Sequence, residues 1–374
     1  MSYYNRVSDL IRTHPIGEIG ALVELGNLGI QTRRSDVYPE LVLFKYGIDA
    51  RFSRPVVREC RGLILDSRDW SIVARPYDKF FNLREELAAD IDWETARVYE
   101  KLDGSLCSLY YYGGEWRVAT TGNPDASGPL HDGTGSFQEL FWKTWNDLGY
   151  SLPHIDPYHE MANWTFLFEL MTSENRVVID HGSPRIVLHG ARHKNGSELD
   201  VAIAGYSYKY LYGWEVVPEF SGDITSGDDA QRITHDMDGR VSEGFVICDA
   251  DFNRIKIKAP SYVRLHHMRG RASSLRHILE AVLAGEADEI VAYFPYVADT
   301  VATYQGKLTA LSDEIESVIS SGPELSAKEF SLSIKARSDA VRAGAFAIRG
   351  GRVSSFSEWV QTVHIKSLMR WLDT

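Results

Sequence analysis

The sequence predicts an α+β protein: an antiparallel-sheet domain followed by a small all-helical C-terminal domain. Three observations carry that expectation. From Leu41 to Lys258 the chain is a succession of short β-rich segments bounded by Gly, Asn, Asp and Pro. Helical patterns interrupt those strands without the regular alternation of a parallel βαβ sheet. After about residue 260 apolar residues recur at helical spacing. The boundary is expected near 260, giving domains 1–260 and 261–374.

Residues 5–30 hold two short amphipathic helical patterns separated by Pro15. The expected strands are LVLFKYG, GLILD, SIVARP, RVYEK, SLCSLYYY, EWRVATT, WTFLFEL, RVVID, RIVLHGA, GFVIC and RIKIK. Gly113–Gly114, between two of these, reads as a β-hairpin turn. Helices are expected near 135–149 and 228–237. Beyond 260, Leu275, Ile278, Leu279, Val282 and Leu283 keep helical spacing, and 288–320 and 326–347 continue it, with breaks at Pro295 and Gly322–Pro323. A last helix opens with the capping-box pattern Ser355-x-x-Glu358 and runs through Trp359, Val363, Leu368 and Trp371.

With 374 residues, 44% apolar and 25% charged, the composition is neither disordered nor that of a membrane protein. No run of about 18 apolar residues and no signal-peptide pattern is present, so a cytoplasmic chain is expected (host cytoplasm if viral). Cys60, Cys107 and Cys248 are scattered and odd in number, against a disulfide framework or a cysteine zinc site. The net charge of −12 argues at first against a polyanionic partner. That charge is unevenly spread: residues 259–374 hold 13 basic and 13 acidic groups, so the whole surplus lies in the first 258. Two local basic runs stand out, Arg264–Arg276 with no acid and Lys335–Arg352 with only Asp339. Such runs fit either a solvated helix face or a phosphate footprint.

The densest chemical feature is Glu100-Lys101-Leu102-Asp103-Gly104-Ser105, at the end of the RVYEK strand. A lysine nucleophile must be held rigidly and shed its proton, which nearby cations or burial promote. Asp103 could bind a metal or orient the amine, and Gly104 would let the backbone approach a nucleotide. Alone, the string also fits an ordinary strand-to-turn junction. Around it stand Glu59-Cys60-Arg61-Gly62, Arg75-Pro76-Tyr77-Asp78-Lys79-Phe80-Phe81-Asn82, Phe168-Glu169, Glu174-Asn175-Arg176-Val177-Val178, Glu243-Gly244-Phe245-Val246 and Ile255-Lys256-Ile257-Lys258. Each has a structural reading of its own, as buried ion pairs, strand-end charge or a half-exposed edge strand.

In this order, and followed by Ser261-Tyr262-Val263-x-Leu265-His266, these blocks resemble the covalent nucleotidyltransferases, within them the RNA ligase 1 family of the bacteriophage T4 type. The resemblance spans roughly residues 41–267. It implies an adenylyltransferase domain in which Lys101 attacks the α-phosphate of ATP. The AMP then passes to an RNA 5′-phosphate, and a 3′-hydroxyl displaces it. Lys256 and Lys258, on one face of their strand, would grip the α-phosphate, and with Glu243 they complete the implied catalytic set. Arg61 and Lys79 would contact sugar and triphosphate, and Phe81 would pack on the nucleotide, beside Gly104, Glu169 and Glu243. Asp103, Glu169 and Glu243 would hold Mg²⁺, for which Mn²⁺ can substitute. One departure is plain. Where relatives often carry a lysine after the hairpin, Val118–Asn123 has none; Arg117 is the nearest cation on that strand, about 13 Å from Thr121.

The family further implies RNA with 5′-phosphate and 3′-hydroxyl ends as partner, cleaved tRNA among them, and a separate end-healing kinase-phosphatase. A monomer with no membrane partner is expected. Arg264, Arg269 and Arg271 are the expected RNA contacts. Rival readings are a DNA ligase or capping guanylyltransferase, which normally place an OB-fold after this domain, and a non-catalytic RNA-binding protein on a ligase scaffold. An AMP-transferase with a non-RNA acceptor is a further one.

Overall fold

The computed structural model describes residues 6–130, 133, 135–155, 160–269, 275–293, 295–322 and 324–372; at Arg6, 267–269, 289 and 292–293 it describes the backbone alone. Two compact units are formed, one by Met1–Tyr46 with Arg51–His266 and the other by Gly47–Ala50 with His267–Thr374.

The first unit contains, in chain order, α1 (Arg6–Thr13), α2 (Gly17–Asn27), β1 (Ile30–Arg34), β2 (Leu41–Tyr46), α3 (Pro55–Glu59), β3 (Arg61–Asp66), β4 (Ser71–Ala74), β5 (Phe81–Asn82), β6 (Arg97–Glu100), β7 (Ser105–Tyr112), β8 (Glu115–Thr120), α4 (Phe137–Asp147), β9 (Trp164–Met171), β10 (Arg185–His193), α5 (Val201–Tyr212), β11 (Glu215–Val216), α6 (Gly227–His235), β12 (Gly244–Cys248), β13 (Arg254–Lys258) and the start of α7 (Pro260–Arg269). They build three sheets, ordered β1-β2-β3-β4, β11-β10-β9-β7-β8 and β5-β13-β12-β6. All pairings are antiparallel except β10 with β11 and β13 with β5.

The sheets bury apolar faces, the second sheet on both sides. Leu41, Leu43 and Ile64 of the first sheet meet Tyr110 and Ala119 of the second. The second sheet's other face carries Phe166, Phe168 and Trp214 against Phe141 and Trp145 of α4. In the third, Val98, Phe245, Ile247, Ile255 and Ile257 pack on Ile224 and Ala230. Alternation along β13 therefore leaves Lys256 and Lys258 together on the opposite face, as the spacing predicts.

Three expectations are corrected. RVVID is not a strand, because the amides of Val178 and Ile179 are taken by the Asp103 carboxylate instead of a ladder. The unexpected α5 forms because Asp200 caps its first amides and Gly213 closes it in the left-handed region at φ 77°, while Tyr208 and Tyr212 pack on Trp214. The last helix is two: Val363 adopts extended backbone, so α13 (Phe356–Thr362) ends before α14 (Ile365–Leu372). Its capping box is also shifted. Ser355 Oγ accepts from the Glu358 amide, but the Glu358 carboxylate reaches back to Ser354.

The second unit is helical, with α8 (Leu275–Leu283), α9 (Ala287–Tyr293), α10 (Ala298–Ser320), α11 (Ala327–Ser333) and α12 (Asp339–Arg349) ahead of α13 and α14. Its core gathers Leu279, Ile290, Tyr304, Ile315, Phe330, Val341, Trp359 and Leu368. Among the described residues, no helix is long and apolar enough to cross a membrane.

Candidate active site

Lys101 lies just beyond β6, where the chain leaves the third sheet for the second. Its amide donates to the Gly244 carbonyl at 2.8 Å, so the backbone of the EGxV block fixes the lysine. Gly244 sits at φ 139°, and a Cβ there would stand 2.1 Å from the Ile257 carbonyl; no other residue fits. The neighbouring Glu243 carbonyl accepts the Ala259 amide at 2.8 Å. One glutamate–glycine pair thus clamps both the lysine loop and the end of β13.

The Glu243 carboxylate, 4% exposed, lies between two ammonium groups: Lys101 Nζ at 2.8 Å and Lys258 Nζ at 3.4 Å. Glu169 projects from β9 into the same field. Burial pushes its carboxyl up to about 8, opposed by Lys101 and Arg61 and reinforced by Glu243. His189, at the register shift of β10, places Nε2 3.6 Å from Glu169 Oε2. Burial, then the Arg61 charge, press that imidazole down to about 3, so the contact is polar rather than an ion pair at neutral pH. No spacing rule marked His189; the signal was a titratable residue inside the apolar run RIVLHGA.

The RPxxKFFN block works on both sides of the site. Lys79 Nζ lies 4.7–5.3 Å from the rings of Tyr46, Phe52 and Phe81, an aromatic cage around a cation. Phe81 is buried on β5 beside Ile255, and Phe80 carries the Arg61 guanidinium 5.3 Å from its ring centre. Arg61 Nη1 is buried with no hydrogen-bond partner. Arg75 pairs with Glu59 of the ECRG block at 2.8 Å, both 3% exposed.

Three residues singled out in the sequence have partners of their own here. The Asp103 carboxylate, an expected metal ligand, is engaged within the protein itself. One oxygen accepts the Val178 and Ile179 amides at 2.9 and 2.6 Å, and the other accepts the Tyr262 hydroxyl at 2.6 Å. Among the described residues no three His, Cys, Asp or Glu side chains cluster as metal ligands. Gly104 is tightly packed: a Cβ there would meet the Leu170 carbonyl at 2.5 Å. Arg117, the nearest cation on β8, bonds the Tyr38 hydroxyl and the Glu115 carboxylate.

Of the three arginines expected on RNA, Arg264 is exposed on α7. The Arg269 side chain and Arg271 lie outside the described residues.

The RNA ligase family of the T4 type 1 kind matches residues 59–262. A protein of Autographa californica nuclear polyhedrosis virus, named as a bifunctional polynucleotide kinase/RNA ligase, is 28% identical over 298 residues, which is 74% of this chain but only 40% of that protein. The RNA ligase of Rhodothermus phage RM378 is 26% identical over 358 residues, 79% of each chain. Among solved structures, an archaeal ATP-dependent RNA ligase aligns at 15% identity with a TM-score of 0.48, covering 81% of this chain and 82% of its own.

Proposed function

The chain belongs to the RNA ligase family, and we propose that it is an ATP-dependent enzyme joining 5′-phosphate and 3′-hydroxyl RNA ends. The observation that carries this reading is the shared Glu243 carboxylate, which holds Lys101 and Lys258 at 2.8 and 3.4 Å with Glu169 in the same field. Arg61, with a buried Nη1 awaiting an acceptor, fits an anionic ligand such as a nucleotide phosphate.

In this scheme Lys101 Nζ forms a P–N bond to the α-phosphorus of ATP, and the bond to the β-phosphate oxygen breaks. Pyrophosphate leaves with the electron pair. Glu243 Oε1 is the acceptor in position for a proton of the amine. Lys256 and Lys258 offset charge on the α-phosphate, and preorganised cations of this kind supply most of the catalysis in phosphoryl transfer. The AMP then moves to the RNA 5′-phosphate as the P–N bond breaks. Attack by the 3′-hydroxyl closes the phosphodiester and frees AMP. Glu169 and Glu243 would hold Mg²⁺, or Mn²⁺ in its place, which would neutralise phosphate charge; two carboxylates suit an ion that shares its shell with substrate phosphates.

Labelled ATP and labelled GTP, each with Mg²⁺, test the nucleophile. A covalent adduct from ATP that is absent in Lys101→Ala supports it, and no adduct from either nucleotide overturns it. Supplying 5′-phosphorylated RNA or DNA strands then separates RNA ligase from DNA ligase.

Cleaved tRNA is the proposed substrate, read by the exposed Arg264 with Arg269 and Arg271. Binding of nicked tRNA by the triple Ala variant with an unchanged salt slope would remove those arginines from the interface. The viral relative carries a kinase name together with the ligase name. End healing is proposed here to come from a separate kinase-phosphatase, with the ligase acting as a cytoplasmic monomer.

A further inference from the structure

The strand β8 carries no lysine, yet a cation from another strand stands at its end. Lys45, on β2, continues the face of Leu41 and Leu43, the face that meets the second sheet. Its side chain runs along this face to the end of β8. A Cβ built on Gly122 would lie 3.7 Å from Lys45 Nζ. Gly62, bulged at φ 91°, brings β3 equally close, since its Cβ would lie 3.1 Å from Thr121 Cα.

The charge environment is unusual. In the register of β2 with β3, Lys45 lies directly opposite Arg61, and like charges at facing positions repel. Neither side chain has a carboxylate within ion-pair distance among the described residues. Arg61 Nη1 is moreover buried without an acceptor. Burial, then the charge of Arg33, lowers the Lys45 pKa, as expected of an ammonium group withdrawn from water with no counter-ion. Two facing cations, half-withdrawn from solvent and unneutralised, form a preorganised anion site. Arg61 joins it electrostatically to Glu169, whose carboxyl it opposes in charge, and so to the Lys101 centre.

We propose that Lys45 is a phosphate-binding residue of the nucleotide site, pairing with Arg61 on the polyphosphate and supplying from β2 the cation that β8 does not. The proposal rests on the ligase reading above. It also predicts where the requirement falls. A group that binds the departing phosphates matters when the lysyl-adenylate forms, and not once the AMP is already on the RNA.

The test compares the unaltered enzyme with Lys45→Met, Lys45→Arg and Lys45→Met/Thr121→Lys. Thr121, just beyond the end of β8, is exposed, so the second change places a lysine there without disturbing the core. Four quantities are measured: melting temperature, binding of inorganic tripolyphosphate, KM and rate for adduct formation from ATP, and sealing of a pre-adenylylated oligoribonucleotide. Lys45→Met is expected to fold normally, to bind tripolyphosphate about 10- to 100-fold more weakly, and to raise the ATP KM to match, as for loss of one charge-assisted hydrogen bond. Sealing of the pre-adenylylated strand stays within about twofold of the unaltered enzyme. Lys45→Arg and the double variant recover most of the loss. Unchanged tripolyphosphate binding in Lys45→Met overturns the proposal, as does an equal loss in both sealing and adduct formation. Absence of any adduct in the unaltered enzyme would instead refute the ligase reading, while tripolyphosphate binding still decides the role of Lys45.

Discussion

The Tyr262 hydroxyl donates to the Asp103 carboxylate at 2.6 Å, joining residues 159 positions apart. With the amides of Val178 and Ile179 on its other oxygen, Asp103 ties the lysine loop to the start of α7 and to the segment after β9. Tyr262→Phe leaves a buried carboxylate oxygen short of a donor, a loss of about 1–3 kcal/mol. Asp103→Asn is expected to be milder, because its side-chain oxygen can still accept both backbone amides while its NH2 donates to the Tyr262 hydroxyl. Chemical denaturation should rank the two in that order. Adduct formation should fall with them, because Lys101 lies two residues from Asp103. If Tyr262→Phe were as stable as the parent, the hydroxyl would have no structural role.

Much of this site was readable from the chain because covalent chemistry at phosphate restricts residue choice. Lys256 and Lys258 stand in β13, whose alternation fixes their common face, while Lys101 follows the end of β6 and Glu243 immediately precedes β12. The residues that escaped do their work through three-dimensional neighbours. The partner of Asp103 is Tyr262, and no local pattern links an aspartate after one strand to a tyrosine on a distant helix. His189 sits at a strand irregularity that periodicity does not reveal. The same holds for RVVID: a β-branched run reads as strand by propensity, yet its amides have a carboxylate to bind. The helix α5 was missed for the opposite reason, since its mixed tyrosines and alanines show little amphipathic contrast.

Glu243 separates two ammonium groups, so its charge is needed before any nucleotide arrives. Glu243→Gln keeps the shape but leaves Lys101 and Lys258 facing each other without the intervening charge. Adduct formation from ATP should fall at least about 100-fold, in the range seen on removing one preorganised electrostatic group. Lys258→Met relieves part of that repulsion. A double-mutant cycle on adduct formation should therefore show coupling between the two positions, and strict additivity would mean that they act independently.

The Glu59–Arg75 pair, at 2.8 Å and 3% exposure on both sides, lies behind the nucleotide blocks and supports them. Burial pushes the Glu59 carboxyl up to about 7 even with Arg75 beside it. Removing the cation in Arg75→Met should cost about 3–5 kcal/mol at pH 8, because an uncompensated charge remains buried. The folded carboxyl is raised above its unfolded value, so keeping it ionised weakens the fold, and that penalty disappears as the group protonates. The deficit of Arg75→Met should therefore shrink on acidification toward pH 5. Glu59→Gln/Arg75→Met should be less destabilised than the single change at pH 8. Urea titrations at the two pH values measure both effects.

Asp66 gives the opposite pH dependence. Hydrogen bonds from Arg68, then from its backbone amide and Tyr112, hold its carboxyl down at about 2. A depressed carboxylate contributes stability that is present above its unfolded value near 4 and is lost as pH falls through about 2. Arg68 is 67% exposed, so solvent screening reduces the contribution to about 1 kcal/mol. Asp66→Asn should lower stability by that amount at pH 6 and approach parity with the parent near pH 2. Measured through a gentle acid titration of melting temperature, the two curves should converge on the acid side; a constant offset across the range would assign the effect to packing rather than charge.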